Sequence, residues 1–267
     1  MDGRLGPLSV VCATLVGMCG RYATTADPAT LATDLNAIDE VGEEPGRPDF
    51  NVAPTTEVLT VLDRHDARRV RRMRWGLVPP WSRKVGGGPV LFNARADSID
   101  KPAFRNAFTH TRCLVPMDGW FEWKNEAAGG QGRASGRSEK IPYYLSPQDG
   151  SRLYVAGLWS VWHDRSVRDP APVLSCAIVT VDSAAQLAEV HDRMPLVLPR
   201  DRWDAWLDPR QPASADLLTA STEAIADIGI VRVSTRVNSV RNNGPELLEP
   251  DPGTPDEAKA GEQLSLL

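Results

Sequence analysis

The chain is poor in the residues that hold metals and disulfides. Its 267 residues include four cysteines and four histidines. Cys12, Cys19, Cys113 and Cys176 form no CxxC pair and no Cys/His ligand spacing. Neither a metal site nor a disulfide framework is therefore expected, and no cofactor motif is present. No apolar run reaches the length of a membrane-spanning helix. Internal repeats are absent, and no clear linker precedes the C-terminal tail. A regular βαβ alternation is also missing, which argues against a parallel α/β fold. An excess of positive charge is lacking too. The formal net charge of −5 argues against a protein that coats nucleic acid over its whole surface. Residues 8–17 (LSVVCATLVG) have the look of a short signal-peptide core. Only Arg4 precedes them, Asp2 offsets it, and no A-x-A cleavage site follows. Met18 stands where a lipoprotein box needs a small residue. Residues 1–17 are therefore read as an over-extended gene start or a processed extension.

The composition that remains is that of an ordinary globular protein, 42% hydrophobic and 24% charged. The length suits one large domain or two small ones. Eight Trp outnumber five Phe and four Tyr; Trp serves equally as core packing or as a stacking surface. Charge is unevenly placed. Residues 64–84 (RHDARRVRRMRWGLVPPWSRK) carry seven Arg and one Lys against one Asp, a local patch suited to a phosphate backbone. From Glu246 onward the chain is acidic and Pro-rich, and residues 241–267 are expected to be a disordered tail.

Met18-Cys19-Gly20-Arg21 is the most informative tetrapeptide. Removal of Met18 would make Cys19 the first residue, with an amine and a thiol on adjacent carbons. That pair condenses with an aldehyde to an imine, which the thiol closes into a thiazolidine. The free α-amine has a pKa of about 7.7–8.0, against about 10.4 for Lys, so it is a usable nucleophile at neutral pH.

Local patterns predict strands over Glu57–Asp63, Arg69–Trp75, Cys113–Met117, Trp120–Trp123, Pro142–Leu145, Leu153–Trp162, Val173–Val181 and Val231–Val237. Asp118-Gly119 reads as the turn of a hairpin. A helix is expected after Asp27-Pro28, on the spacing Leu31, Leu35, Ile38. Others are expected from Ser183 to Val190, over Asp201–Leu207 and over Ala213–Ala226. Residues 125–140 read as a flexible loop. Cys113 and Cys176 sit in apolar runs and read as buried. The fold class expected is α+β: a β-rich single domain over 18–240, mainly antiparallel with a barrel-like core and a few short helices.

Several motifs follow Met18-Cys19-Gly20-Arg21 in order: Asn51-Val-Ala-Pro54-Thr55, Trp75-Gly-Leu-Val-Pro-Pro-Trp81, Asn93-Ala-Arg95, Arg112-Cys-Leu-Val-Pro116, Asp118-Gly-Trp-Phe-Glu122-Trp123, Pro142-Tyr143, Ala156-Gly-Leu-Trp159 and His191-Asp-Arg-Met-Pro195. Each is weak alone. Together they closely resemble the SOS response-associated peptidase (SRAP) family, from Met18 to about Asn238. The resemblance implies a β-rich domain that binds single-stranded DNA and captures abasic sites as a thiazolidine crosslink, after self-processing exposes the cysteine. It implies Cys19 as nucleophile, with Asn93, Glu122 and His191 as active-site polar residues. Arg21, Trp75, Trp81 and Arg95 become candidates for gripping DNA. It further implies peptidase and possible lyase activity, a monomer, and a cytoplasmic protein that joins the nucleoid when bound to DNA. Asp97 stands where Glu is expected after the Asn93-Ala-Arg95 motif.

The residue types alone leave alternatives open. Glu122 by itself reads as a solvent-facing strand residue, His191 as structural, and Asn93 as a turn residue. An N-terminal-nucleophile amidohydrolase also begins Met-Cys-Gly, with the thiol attacking an amide. A non-catalytic single-stranded DNA-binding protein is a second rival, and a cysteine protease a third.

Overall fold

The structure, a computed structural model, describes residues 19–42, 46–127 and 138–251. Along the chain these form β1 (Tyr22–Thr24), α1 (Pro28–Asp34), β2 (Ile38–Asp39), β3 (Asp49–Val52), β4 (Glu57–Arg64), β5 (Ala67–Trp75) and β6 (Asn93–Arg95). There follow α2 (Pro102–His110), β7 (Arg112–Met117), β8 (Gly119–Ala127), β9 (Ser138–Pro147), β10 (Leu153–Trp162) and β11 (Val173–Asp182). The last are β12 (Arg193–Pro195), α3 (Trp203–Leu207) and β13 (Ile228–Arg232). Short 3₁₀ turns join them.

Two sheets result. The larger runs β12-β11-β10-β7-β4-β5-β2, and β11 also pairs with β5 through Ser175↔Arg74 and Cys176↔Trp75. That last pairing closes a five-strand ring, so the barrel-like core expected from the sequence is present. Closure removes the sheet edge that an open β4–β5 hairpin would expose. The smaller sheet runs β13-β9-β8-β1-β3 and packs on the barrel. The pairings β2–β5, β5–β11 and β6–β11 are parallel and the rest antiparallel.

The period of two along β8 decides what the small sheet presents to each side. Trp120 and Glu122 face the main core, beside Tyr22 and Leu145. Phe121 and Trp123 face the opposite way, onto a second cluster with Val233 and Val237 from the C-terminal segment. Glu122 thus enters the interior because it shares a face with a buried Trp.

Several expectations are corrected. β7 and β8 are not a hairpin: β7 pairs with β4 and β10, β8 with β1 and β9, and Asp118 is the corner where the chain changes sheets. Its backbone N–H donates to the Ala23 carbonyl and its side chain accepts from Thr25 N–H at 2.6 Å. The loop expected over 125–140 is narrower, since β8 runs to Ala127 and β9 starts at Ser138; residues 128–137 lie outside the described residues. The helix expected at 183–190 is a 3₁₀ turn, Ala185–Glu189, without a side-chain cap, because the chain must reverse at once into β12. Ala213–Ala226 holds two 3₁₀ turns, Ala215–Leu218 and Glu223–Ile225. Thr219, Ser221 and Thr222 lie between them, and their hydroxyls compete with helical bonding. The late strand starts at Ile228 and ends at Arg232, because Ser234 caps a 3₁₀ turn over Thr235–Asn238. The fold continues past residue 240: Leu247 is buried, and the Asp251 N–H donates to the Arg232 carbonyl at 2.9 Å. Only residues 252–267 of the expected tail lie outside the described residues, as do residues 1–18. α2 was not foreseen, although Phe104 and Ala107 give it a buried stripe. No helix among the described residues is long and apolar enough to cross a membrane.

Candidate functional site

Cys19 sits just before β1, where the small sheet meets the end of the barrel. It is 3% exposed. Its backbone N–H donates to Glu122 Oε1 at 2.7 Å. Its Sγ–H donates to the Arg193 carbonyl at 3.8 Å. The Asn93 amide donates to the Cys19 carbonyl at 3.5 Å. Three of the four expected site segments therefore converge on one residue. β6 brings Asn93, because it lies parallel to β11 in the register Ile178↔Asn93. β12 brings Arg193, because it pairs with the last residues of β11. β8 brings Glu122 from the other sheet.

Burial dominates the electrostatics. Glu122, 3% exposed, is pushed up to about 8, and the nearby Asp192 carboxylate adds to the effect. The contact with Cys19 opposes this shift without cancelling it. The carboxyl therefore holds its proton near neutral pH and can donate it. The solvent-facing alternative for Glu122 is corrected. The Cys19 thiol is also raised well above its usual range, first by burial and then by the Glu122 charge. A thiol so placed is poor as a free thiolate nucleophile.

His191 stands two residues before Arg193. Its Nδ1 accepts from Arg193 N–H at 3.0 Å and lies 3.0 Å from Asp192 Oδ1. Its contacts fix the turn that presents Arg193 to the thiol.

The expected DNA contacts divide sharply. Arg95 is exposed and forms a two-pronged ion pair with Asp97, at 3.1 and 2.6 Å. Asp97 also lies 3.7 Å from Arg193, so the carboxylate bridges two arginines beside the site. Arg21 donates to Asn51 Oδ1 at 2.8 Å and to the Val237 carbonyl at 2.9 Å. Trp75 is 0% exposed. It packs edge-on against Tyr22 and Phe92, and its indole N–H donates to the Phe92 carbonyl at 2.8 Å. It has no open face for a base, and the stacking role expected of it is withdrawn. Trp81 is 54% exposed, on the loop between β5 and β6. Gly76 opens that loop at φ +132°, a conformation only glycine adopts readily, and its N–H donates to the Cys176 carbonyl.

Three of the eight basic residues of this stretch form ion pairs. Arg68 pairs with Asp63 and Asp204, and Arg69 and Arg71 both pair with Glu40. Arg74, Arg83 and Lys84 instead line a cleft of about 490 Å³ whose wall contains no acidic residue. A larger cleft of about 850 Å³ has mixed charge, including Asp63, Arg64, Asp66, Arg68 and Arg210, and none of the expected site residues borders it.

A model of the family described as SOS response associated peptidase (SRAP) matches residues 18–240. This chain belongs to the SRAP family. The abasic site processing protein YoqW of Bacillus subtilis is 31% identical over 235 residues, covering 87% of this chain and 99% of that protein. The abasic site processing protein YedK of Escherichia coli is 32% identical over 247 residues, covering 87% and 100%. The abasic site processing protein HMCES of Gallus gallus is 30% identical over 285 residues, covering 91% and 81%. A crystal structure of a Bacteroides thetaiotaomicron protein superposes with a TM-score of 0.72 at 24% identity, covering 87% of this chain and 100% of that one. That likeness concerns the fold.

Two residues of this SRAP chain were not singled out by sequence. Arg193 lay inside the His191-Asp-Arg-Met-Pro195 motif, yet it is 3% exposed, with its guanidinium on Asp182 and the Thr180 carbonyl. A basic residue in a motif is easily taken for a ligand contact; here its pairing along β11–β12 fixes the site from beneath. Asn51 opened another motif and is buried in a knot of carbonyls. The Arg112 motif belongs elsewhere: its buried guanidinium donates to carbonyls of Phe108, Thr109, Trp206, Asp208 and Gln211, tying α2 to α3.

Proposed function

We propose that this chain captures abasic sites in single-stranded DNA by covalent thiazolidine formation through Cys19, made N-terminal by removal of the residues before it. The observation that carries this reading is the 2.7 Å contact between the Cys19 nitrogen and Glu122. Once that nitrogen is an α-amine, it stands against a buried carboxyl that holds a proton near pH 7. The amine and carboxyl then titrate as a pair. The productive form carries a neutral amine beside a neutral acid.

Glu122 gives a proton to the sugar ring oxygen and takes up the proton of the C1′ hydroxyl as the hemiacetal opens to the aldehyde. The amine nitrogen adds to the aldehyde carbon, and loss of one water, again assisted by Glu122, gives the imine. The Sγ–carbon bond then forms across C=N, and the thiol proton passes to nitrogen. Asn93, through the Cys19 carbonyl, fixes the nucleophile's backbone.

Processing ahead of Cys19 has a physical incentive. Residue 19 sits at φ +47°, where a non-glycine residue costs roughly 1–2 kcal/mol. A chain-initial residue has no φ, so cleavage before Cys19 relieves that cost. The peptidase reading is this self-processing. Lyase activity corresponds to elimination from the imine before the ring closes. The protein acts as a cytoplasmic monomer on the nucleoid's single strands.

Trp81 and the basic cleft beside it supply sequence-tolerant binding. Their loop leans on Ser175 and Cys176 near the start of β11, whereas Arg193 pairs with Asp182 at its end. Seven residue steps along β11 from Ser175 to Asp182, on the order of 20 Å, separate the two contacts. Trp81→Ala is expected to weaken binding of intact single-stranded DNA by about 1–3 kcal/mol, the value of one stacked base. Its melting temperature should stay near wild type. Trp75→Ala should instead destabilise the fold by about 3–5 kcal/mol, as removal of a core indole does. Fluorescence anisotropy and thermal melting read the two effects, and the reverse assignment would reject this placement of the DNA.

The deciding experiment is denaturing electrophoresis of single-stranded DNA carrying one abasic site with protein started at Met18. A heat-stable shifted band, absent with intact DNA, is expected. No band, from protein whose first residue is shown by mass spectrometry to be Cys19, rejects the reading.

A further inference from the structure

We infer that Asn51 is a positioning residue for the nucleophile: it locks Arg21 to the C-terminal segment and thereby holds Cys19 against Glu122. The inference rests on the proposed capture chemistry for its catalytic consequence, but the geometry stands without it. The β1 ladder begins at Tyr22, paired with Val52 and Trp120, and the Arg21 carbonyl accepts from Phe121 N–H at 2.9 Å. Between that anchor and Cys19 lies Gly20, which has no side chain to hold it. The direction in which the nucleophile leaves the sheet is therefore set by what fixes Arg21.

Asn51 does this through both ends of its amide. Oδ1 accepts from Arg21 Nη1 at 2.8 Å. Nδ2 faces the carbonyls of Val237, Ser239 and Asn242 at 3.3, 3.0 and 2.9 Å. Arg21 itself donates to the Val237 carbonyl at 2.9 Å, so the three residues close a ring of contacts. The same segment is held from its other side by Trp123, whose indole N–H donates to Asn238 Oδ1 at 2.7 Å. Trp123 is the neighbour of Glu122 on β8. Residues 237–239 thus form a bridge from the strand of the nucleophile to the strand of the acid, with Asn51 as its buried fastening. Aspartate keeps the acceptor but has no donor for the carbonyls, and alanine has neither.

The first test needs no DNA. Full-length wild type, Asn51→Ala and Asn51→Asp are treated with iodoacetamide, and each cysteine is followed by peptide mass mapping. Cys19 is expected to be alkylated about tenfold faster in both variants, the scale of one or two buried hydrogen bonds. Cys113 and Cys176, fully buried in the barrel, should remain as unreactive as in wild type. An unchanged Cys19 rate, or a parallel rise at Cys19, Cys113 and Cys176 together, overturns the inference. Should the Asn51 variants not fold, Trp123→Phe removes only the indole contact on the same bridge; a severalfold rise confined to Cys19 is expected, and no rise overturns it. The second test uses protein started at Met18. Adduct formation at saturating abasic DNA should fall about tenfold, with affinity for intact DNA changed by less than about twofold. A matched loss of affinity and rate would make Asn51 merely structural. A wild type that forms no adduct removes the capture reading alone and leaves the alkylation result to decide the positioning role.

Discussion

Cys19→Ala, in protein started at Met18, is expected to lose the heat-stable adduct completely while keeping a product that borohydride can trap. Alanine at the chain start retains an α-amine with a free pKa of about 7.7–8.0, so imine formation with the open sugar remains possible. What disappears is the thiol that closes the ring. The imine then hydrolyses or eliminates, and strand cleavage should rise as the crosslink falls. Cys19→Ser keeps a weaker nucleophile in the same place and should give an adduct that forms slowly and reverses on heating. The full-length chain with residue 19 still internal supplies the third comparison. Its Cys19 nitrogen is an amide, so neither crosslink nor trapped imine should form until the preceding residues are removed. A heat-stable adduct from Cys19→Ala at the wild-type yield would show that the thiol is dispensable and end the thiazolidine scheme.

The ordered motifs pointed to Cys19, Asn93 and Glu122, and the two sheets bring these residues into contact. For Asn93 and Glu122 the reason is local: each lies on a strand whose period is set by its neighbours. Trp120 carries Glu122 inward, and Ala94, buried against β11, turns Asn93 and Arg95 to the other side. Sequence could not separate Trp75 from Trp81, because both lie in one motif and composition is blind to burial. Trp75 ends β5, where the barrel closes on Cys176, whereas Trp81 is carried out on the loop that follows. The arginines of residues 64–84 misled for a similar reason. Their partners Glu40 and Asp204 are far away in sequence, and only folding brings them to β5. The 3₁₀ turns after β11 and α3 were overestimated as helices because apolar spacing alone does not report an early reversal. Asn51 stood in a motif but its role was not legible, since apart from Arg21 its partners are backbone carbonyls, which every residue possesses.

Glu122→Gln is expected to slow adduct formation by about 10²-fold or more, the usual contribution of a positioned general acid. Glutamine keeps the Oε1 acceptor for the Cys19 nitrogen and a similar shape, so binding and position are preserved while the transferable proton is lost. The wild-type rate should pass through a maximum with pH, rising as the amine loses its proton and falling as Glu122, coupled to that amine, ionises; the falling limb should vanish in the variant. Stability gives an independent check with a definite sign. The folded carboxyl holds its proton up to about 8, well above the range of an exposed glutamate. Between roughly pH 4.3, the unfolded value, and pH 8 the native state therefore binds more protons than the unfolded one, and stability declines as pH rises. Each unit of such a shift is worth on the order of 1.4 kcal/mol. In the full-length chain, Glu122→Gln should accordingly melt several degrees above wild type at pH 9 and close to it at pH 5. Once Cys19 is N-terminal, its ammonium lies against the carboxylate and lowers the cost of ionising it, so the gap at pH 9 should shrink. A melting difference that does not change with pH, or a variant that crosslinks at the wild-type rate, would show that Glu122 is not the buried acid of this site.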